Sequence, residues 1–321
     1  MKKWGEKPYY SLDYYLKQTF GRKIYKLSLN GGMTCPNRDG TKGYHGCIFC
    51  SMGGSGDFAA SPSLSITEQI EEAKKLIELK LPATKKQSME RENPTGQYIA
   101  YFQAYTNTYG KIEHLRKIFF EAINHHEVVG LSIATRPDCL GGEILSLLSE
   151  LNAIKPVWIE LGLQTCHEET ARFIRRGYSL AVFEEAVKNL QKLSVQIIVH
   201  LILGLPGETK KEVLQSVAYV VNQQVNGIKL QLLHILENTD LAHYTFEVLT
   251  KEDYIDLVIS CLEIIPEDVV IHRVTGDGPK ELLIAPKWSS NKKSVLNELH
   301  KTFKQKGTWQ SRKLNEDYYE R

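Results

Sequence analysis

The chain has 321 residues, of which 42% are hydrophobic and 24% charged, and a formal net charge of +2. That length holds one large α/β domain plus a modest appendage, and the composition is ordinary for a globular protein. No run approaches the ~18 uncharged apolar residues of a membrane span, and Met1 to Lys7 lack the apolar core of a secretory signal, so a cytoplasmic location is expected.

In chain order, a polar, aromatic-rich lead (Tyr9, Tyr10, Tyr14, Tyr15) precedes a first strand expected at 23–29. A long Gly-rich loop follows, from Gly31 to about Ser65, and an irregular segment of that length inside a domain is usually functional. Residues 67–81 read as an amphipathic helix with Ile70, Ala73, Ile77 and Leu81 on one face, and the charged stretch 85–97 reads as an exposed connection. Strands expected at 98–102, 128–134, 157–163, 195–203 and 227–233 then alternate with helices expected at 112–123, 141–151, 168–174 with 181–193, and 209–221. The strands are near-continuous apolar runs, as when both faces are covered, and the crossover helices require a parallel, right-handed array. With 23–29 this makes six βα units, a partial (β/α)6 barrel that falls short of the eight needed for closure. The expected organisation is an N-terminal extension (1–22), the α/β barrel (23–240) and a C-terminal accessory region (241–321). The last carries helices at 252–264 and 292–306 and a strand at 269–273.

Three of the six cysteines, Cys35, Cys47 and Cys50, fall within sixteen residues of the Gly-rich loop, while Cys139, Cys166 and Cys261 are scattered. A secreted disulfide framework would be denser and more evenly paired. Three thiolates can hold three irons of a cubane [4Fe–4S] cluster and leave the fourth open for S-adenosylmethionine (SAM), whose reductive cleavage releases a deoxyadenosyl radical. Phe49, directly before Cys50, would then lie near the SAM adenine, although a core role is the ordinary alternative. A structural Cys₃His zinc site completed by His45 also satisfies the ligand set. The placement just after a first barrel strand, where such folds keep their chemistry, favours the cluster.

Several strand ends resemble the radical SAM superfamily, in the branch of the elongator catalytic subunit and the anaerobic coproporphyrinogen oxidases. The fragments are Ser132–Asp138, Glu160–Gln164, Arg176-Gly177-Tyr178, Ile198–Gly207, Lys229–His234 and Asn238–Leu241. In this order and spacing, with the three cysteines, they favour the cluster over zinc. Asp39-Gly40, Gln103–Tyr109 and 275–279 further resemble a short bacterial subfamily associated with tRNA wobble-uridine side-chain maturation, the MnmL-type step from carboxymethylaminomethyl- to aminomethyl-uridine.

The resemblance implies SAM contacts at Gln103, Glu160, Gln164, Arg176 and His200, and an electron donor of flavodoxin or ferredoxin type. Each residue has a plainer alternative: a strand cap for Gln103, a salt bridge to an arginine at the barrel mouth for Glu160, a satisfied core histidine for His200. Arg136 is either an anchor or one half of an ion pair, and Cys166 at the barrel mouth is a candidate hydrogen-donor thiol. Ala134 stands where related chains carry an acid, and His200 stands where the porphyrin branch has Asp. No elongator-type acetyltransferase segment is recognisable, so acyl-CoA-dependent carboxymethylation is not expected.

From Lys280 to Lys313 nine basic residues face two acidic ones, so the rest of the chain is net negative. With Trp288, Trp309 and Tyr318 interleaved, this tail suits an RNA partner, here tRNA, although a solvated helix face explains the charge equally well. Two alternatives remain beside a tRNA-modifying enzyme: one acting on a small metabolite or tetrapyrrole, and a non-catalytic zinc-stabilised RNA-binding module.

Overall fold

In the computed structural model, which describes residues 1–54, 56–80, 97–276 and 278–314, seven parallel strands curl into a half-barrel. They are β1 (Tyr25–Leu29), β2 (Tyr98–Phe102), β3 (Val128–Thr135), β4 (Val157–Gln164), β5 (Gln196–Leu203), β6 (Gly227–Leu232) and β8 (Val270–Arg273), adjacent in that order. A two-residue β7 (Ile235–Leu236) pairs antiparallel with β9 (Leu283–Ala285). The helices are α1 (Leu12–Phe20), α2 (Ile66–Lys80), α3 (Ile112–Asn124), α4 (Gly142–Asn152), α5 (Glu168–Phe173), α6 (Leu180–Lys192), α7 (Lys210–Asn222), α8 (Lys251–Glu263) and α9 (Lys292–Lys306). The partial barrel expected from the sequence is therefore present, with a seventh strand in addition. Residue 81, the connection over 85–96, Asp277 and Tyr318 lie outside the described residues.

The additional strand comes from the segment assigned to the accessory region. Without β8 the far edge of β6 would present unpaired backbone groups. The N-terminal lead in turn covers β8: the Ile271 amide donates to the Tyr10 carbonyl at 2.7 Å, and Ser11 bridges Ile271 in parallel. Fully buried Gln310 ties this corner together, accepting from Tyr10 N (2.8 Å) and donating to Pro266 O (2.6 Å) and Val269 O (2.9 Å). On α9, Val295, Leu299 and Phe303 bury into the main core.

Outward-facing strand residues such as Leu27, Phe102, Ile133, Leu161, Val199 and Leu230 form that core beneath the helices. The inner face is different, and the two-residue strand period sorts it into layers. Near the strand beginnings Ile24, Ile99, Trp158 and Ile198 form an apolar plug with Leu16 of α1. Two residues further along each strand come Lys26, Tyr101, Glu160 and His200, joined by Ser132 and Lys229. These groups are bonded together. Glu160 Oε1 accepts from Lys26 Nζ (2.6 Å) and Ser132 Oγ (2.7 Å), and Oε2 from His200 Nε2 (2.8 Å) and Lys229 Nζ. Lys26 and Lys229 also lie over the Tyr101 ring, 4.7 and 4.8 Å from its centroid.

Burial sets the protonation of this layer. It acts to raise the Glu160 pKa, but Lys229, Lys26 and His200 outweigh it and hold the carboxylate ionised, well below its usual range. Burial, with the Lys229 charge adding to it, pushes His200 down to about 4, so the ring is neutral at pH 7 and its Nε2 carries the donated proton. Burial also pushes Lys229 down to about 7, against the attraction of Glu160. Glu160→Gln leaves the two lysines without their counter-charge, and we expect it to cost about 3–5 kcal/mol in denaturant unfolding at pH 7. The deficit should shrink as pH rises toward 9, because Lys229, already lowered by burial, sheds its proton in the folded state. A loss under about 1 kcal/mol would contradict this account of the layer.

Candidate active site

At the C-terminal ends of the strands, where barrel enzymes place their chemistry, the layer opens into a cavity of about 940 Å³ that is continuous with solvent. Cys35, Cys47, Phe49, Cys50, Gln103, Glu160, Gln164, Arg176 and His200 all border it. The sequence places these residues on one loop, on or just after three strands (β2, β4 and β5) and on the turn after α5, and the fold brings them to one space.

The cysteine loop is held against the β4 exit by Asn37. Its Nδ2 donates to Arg175 O (2.7 Å) and Arg176 O (3.3 Å) and lies 3.7 Å from Cys47 Sγ. This approach explains the Arg-Gly pair: Gly177 has φ +80°, and a Cβ there would lie 2.7 Å from Asn37 Oδ1. Arg136 Nη1 donates to the same Arg176 carbonyl (2.9 Å). Arg38 turns beneath the loop, donating to Cys50 O (3.1 Å) and Ser51 O (2.6 Å).

Burial pushes the Cys47 thiol up to about 12, with neighbouring Cys50 adding to the shift and Arg136 opposing it. Cys50 is raised by burial against the opposing charge of Arg38. Such thiols ionise when a metal replaces their protons. Their spread discriminates between metals. Four ligands ~2.3 Å from one zinc ion crowd within about 4 Å of each other. Among the described residues the one set of three His, Cys or carboxylate ligand atoms all within 4.8 Å is Glu71, His125 and Glu127, whose two carboxylates already hold Lys74. The cysteine sulfurs are therefore wider than a single ion requires, and His45 is exposed. A cubane, larger than one ion, fits three thiols arranged around an open cavity.

Beside the loop, Gln164 sits on a β-bulge with φ +66°, its amide folded over Gly162, where a Cβ would come within 2.5 Å of Gln164 Nε2. Gln103 accepts from Ser28 Oγ at 2.9 Å. Arg176 is 1% exposed and directs its guanidinium at the chain itself: Thr165 O (2.7 Å), Tyr178 O (3.0 Å), Leu163 O (3.4 Å) and Glu168 Oε2 (3.2 Å). It fixes the β4 exit and stacks on the Tyr178 ring, 4.8 Å from the centroid. Arg136 is in an ion pair with Asp138, Nη2 to Oδ2 at 2.8 Å. The expected Glu160–arginine bridge is replaced by the two lysines.

Sequence reasoning assigned no role to Asn37, Arg38, Lys26, Tyr101, Gln231 or Arg273, although all but Asn37 and Lys26 border the cavity. The usable signal was polar residues at the strand period within apolar runs, as in Lys26-x-Ser28 and Lys229-x-Gln231. Other expected residues fall elsewhere. Cys166 is not among the residues bordering the cavity; its amide and thiol engage Ser216 Oγ of α7. Cys261 is buried in α8. Trp288 packs half-buried near Tyr254 and donates to Leu249 O (3.1 Å), and Trp309 lies beneath Arg312.

The Radical SAM superfamily model matches residues 40–220, and the Radical_SAM C-terminal domain model matches 225–305. The chain is 42% identical to YtqA of Bacillus subtilis (strain 168) over 96% of this chain and 93% of that one. It is 26% identical to the tRNA uridine(34) acetyltransferase of Methanocaldococcus jannaschii over 54% of this chain, which is 32% of that longer protein. Among solved structures, Methanocaldococcus infernus Elp3 with its N-terminus deleted shares the fold at TM-score 0.65 and 17% identity, covering 89% of this chain and 64% of that one. The chain belongs to the radical SAM superfamily and is an enzyme of that class.

Proposed function

We propose that Cys35, Cys47 and Cys50 hold a [4Fe–4S] cluster, that SAM binds in the cavity beside it, and that the substrate is a modified wobble uridine of tRNA. The observation that carries this reading is the convergence of three thiols from one loop with polar strand ends on a single cavity. Once bound, the cluster supplies the electron that cleaves SAM to a 5′-deoxyadenosyl radical. The chain's own residues position and insulate. Arg38 and Arg136 place positive charge against the thiolates. Gln103 and Gln164 offer amides to the polar groups of SAM, and Phe49 packs near its adenine. Arg176 acts through Asn37 and Gly177 by holding the loop in place, and the Glu160 layer with neutral His200 forms the floor.

The tRNA part rests on the named activity of the M. jannaschii relative and on the tail. Lys292, Lys293, Lys301 and Lys304 of α9 are exposed, as a phosphate-contacting face requires. In this reading the N–CH2 bond of a carboxymethylaminomethyl side chain is cleaved oxidatively to leave aminomethyl: SAM would be the two-electron oxidant, water would supply the oxygen, the two carbons would leave as glyoxylate, and a flavodoxin- or ferredoxin-type reductant would supply the priming electron. Residues 241–321 serve as the substrate region.

Anaerobic reconstitution should load ~4 irons per wild-type chain and leave Cys35→Ala, Cys47→Ala and Cys50→Ala each without a full cluster by iron and sulfide analysis. Full loading in all three would end the assignment. Gln164→Ala should retain iron yet bind SAM about tenfold or more weakly in equilibrium dialysis, the effect of losing a hydrogen bond to a charged group. Wild-type affinity there would reassign the residue. Mass spectrometry of tRNA nucleosides from cells lacking the gene should show a precursor wobble uridine accumulating, and an unchanged nucleoside profile would refute the tRNA reading.

A further inference from the structure

The floor of the cavity carries more positive charge than its own carboxylate offsets. Lys26 and Lys229 both pair with Glu160 there, and Arg273 stands in register with Lys229 on the cavity wall. Among the described residues Arg136 pairs with Asp138 and Arg176 with Glu168, while Arg38 donates to carbonyls of the cysteine loop and lies against its thiols. Buried charge without a counter-charge is costly. Lys229 meets that cost by pairing with Glu160, whereas half-buried Arg273 faces the cavity with no described carboxylate beside it, a place for an anion that arrives with a ligand. SAM would be ill suited to supply it, because its sulfonium would add a further positive charge and, in the reading above, its carboxylate would be spent at the cluster.

Arg273 marks where the anion fits. It ends β8 in register with Lys229 of β6. Among the described residues its hydrogen bonding is one long contact, Nη1 to Gln231 Oε1 at 3.4 Å, and no carboxylate lies within ion-pair distance. The planar guanidinium fork, which matches a carboxylate two-pronged, is thus largely unspent. Arg273 and Gln231 border both the main cavity and a second one of about 640 Å³ that adjoins it past Phe49 and Gln103. The cysteines, Arg136 and Arg176 border the main cavity and not the second. Asp57, the acid on the second cavity's wall among the described residues, is already held by Ser51 Oγ at 2.9 Å. Arg273 therefore stands where the two cavities join, and the second of them has none of the three cysteines on its wall.

We propose that Arg273, with Gln231 and Lys229 beside it, binds a carboxylate of the substrate. The identity of that substrate rests on the tRNA reading, in which a carboxymethylaminomethyl-uridine presents one such carboxylate to the cavity. The subsite itself rests on the charge excess and the unspent guanidinium.

The test uses reconstituted holoenzyme saturated with SAM, with thermal unfolding followed in acetate, acetamide or inorganic phosphate at matched ionic strength. Wild type should be stabilised by acetate and not by acetamide, Arg273→Gln should lose that response, and Arg273→Lys should keep part of it. SAM affinity by equilibrium dialysis should stay within about twofold in both variants, well short of the tenfold that one ~1.4 kcal/mol contact represents. Equal responses to acetate and acetamide, a response intact in Arg273→Gln, a stronger response to phosphate than to acetate, or lost SAM affinity would each overturn the proposal. A second arm separates it from the tRNA reading. If wild-type complementation of gene-deleted cells restores a wobble nucleoside and Arg273→Gln restores it equally well, the subsite fails while the tRNA reading stands. If wild type changes no nucleoside, the tRNA reading fails and the acetate response still decides the subsite.

Discussion

One buried carboxylate organises the inside of this barrel. Glu160 draws together groups from β1, β3, β5 and β6 by accepting from Lys26, Ser132, His200 and Lys229. Without a negative charge there, two lysine side chains would face each other across an apolar plug, and the inner face could not close around a polar cavity. With it, the strands are linked across the interior as well as through their ladders. The cavity above then inherits a charged floor that Glu160 holds together. Desolvation makes this interaction decisive, since the same ion pairs on a surface would contribute little.

The cysteine loop depends on a second, smaller constraint. A loop of this length cannot hold three thiols in register by its own turns alone. It is pinned at Asn37 to the carbonyls of Arg175 and Arg176, while Arg136 reaches the second of these from β3. The β4 exit is fixed in turn by the Arg176 guanidinium. Strand, exit turn and ligand loop thus form one connected unit, and the absence of a side chain at Gly177 is part of its geometry.

Much of this was legible in the sequence, and the reasons are specific. The strands at 98–102 and 128–135 stand out because apolar runs bounded by helical periodicity have few alternative readings. The cysteines stand out because their spacing suits few chemistries. The seventh strand was assigned to a separate region because four residues, Val270 to Arg273, carry too little pattern to reveal a partner some forty residues upstream. Lys26 was given no role and Lys229 only a place in a strand motif, since only the folded barrel shows that both meet Glu160. Arg176 was taken from its motif as a cofactor contact, whereas its burial and its carbonyl partners show a residue that shapes the loop.

The central claim is that three thiols hold a cluster with one iron left for SAM. Electron paramagnetic resonance of the dithionite-reduced, reconstituted protein tests it directly, recorded before and after SAM is added. The account requires the signal of one reduced [4Fe–4S] cluster per chain, shifted and reshaped by SAM because the cofactor binds an iron that no cysteine occupies. A signal indifferent to saturating SAM, or a protein that takes up stoichiometric zinc in place of iron, would contradict it.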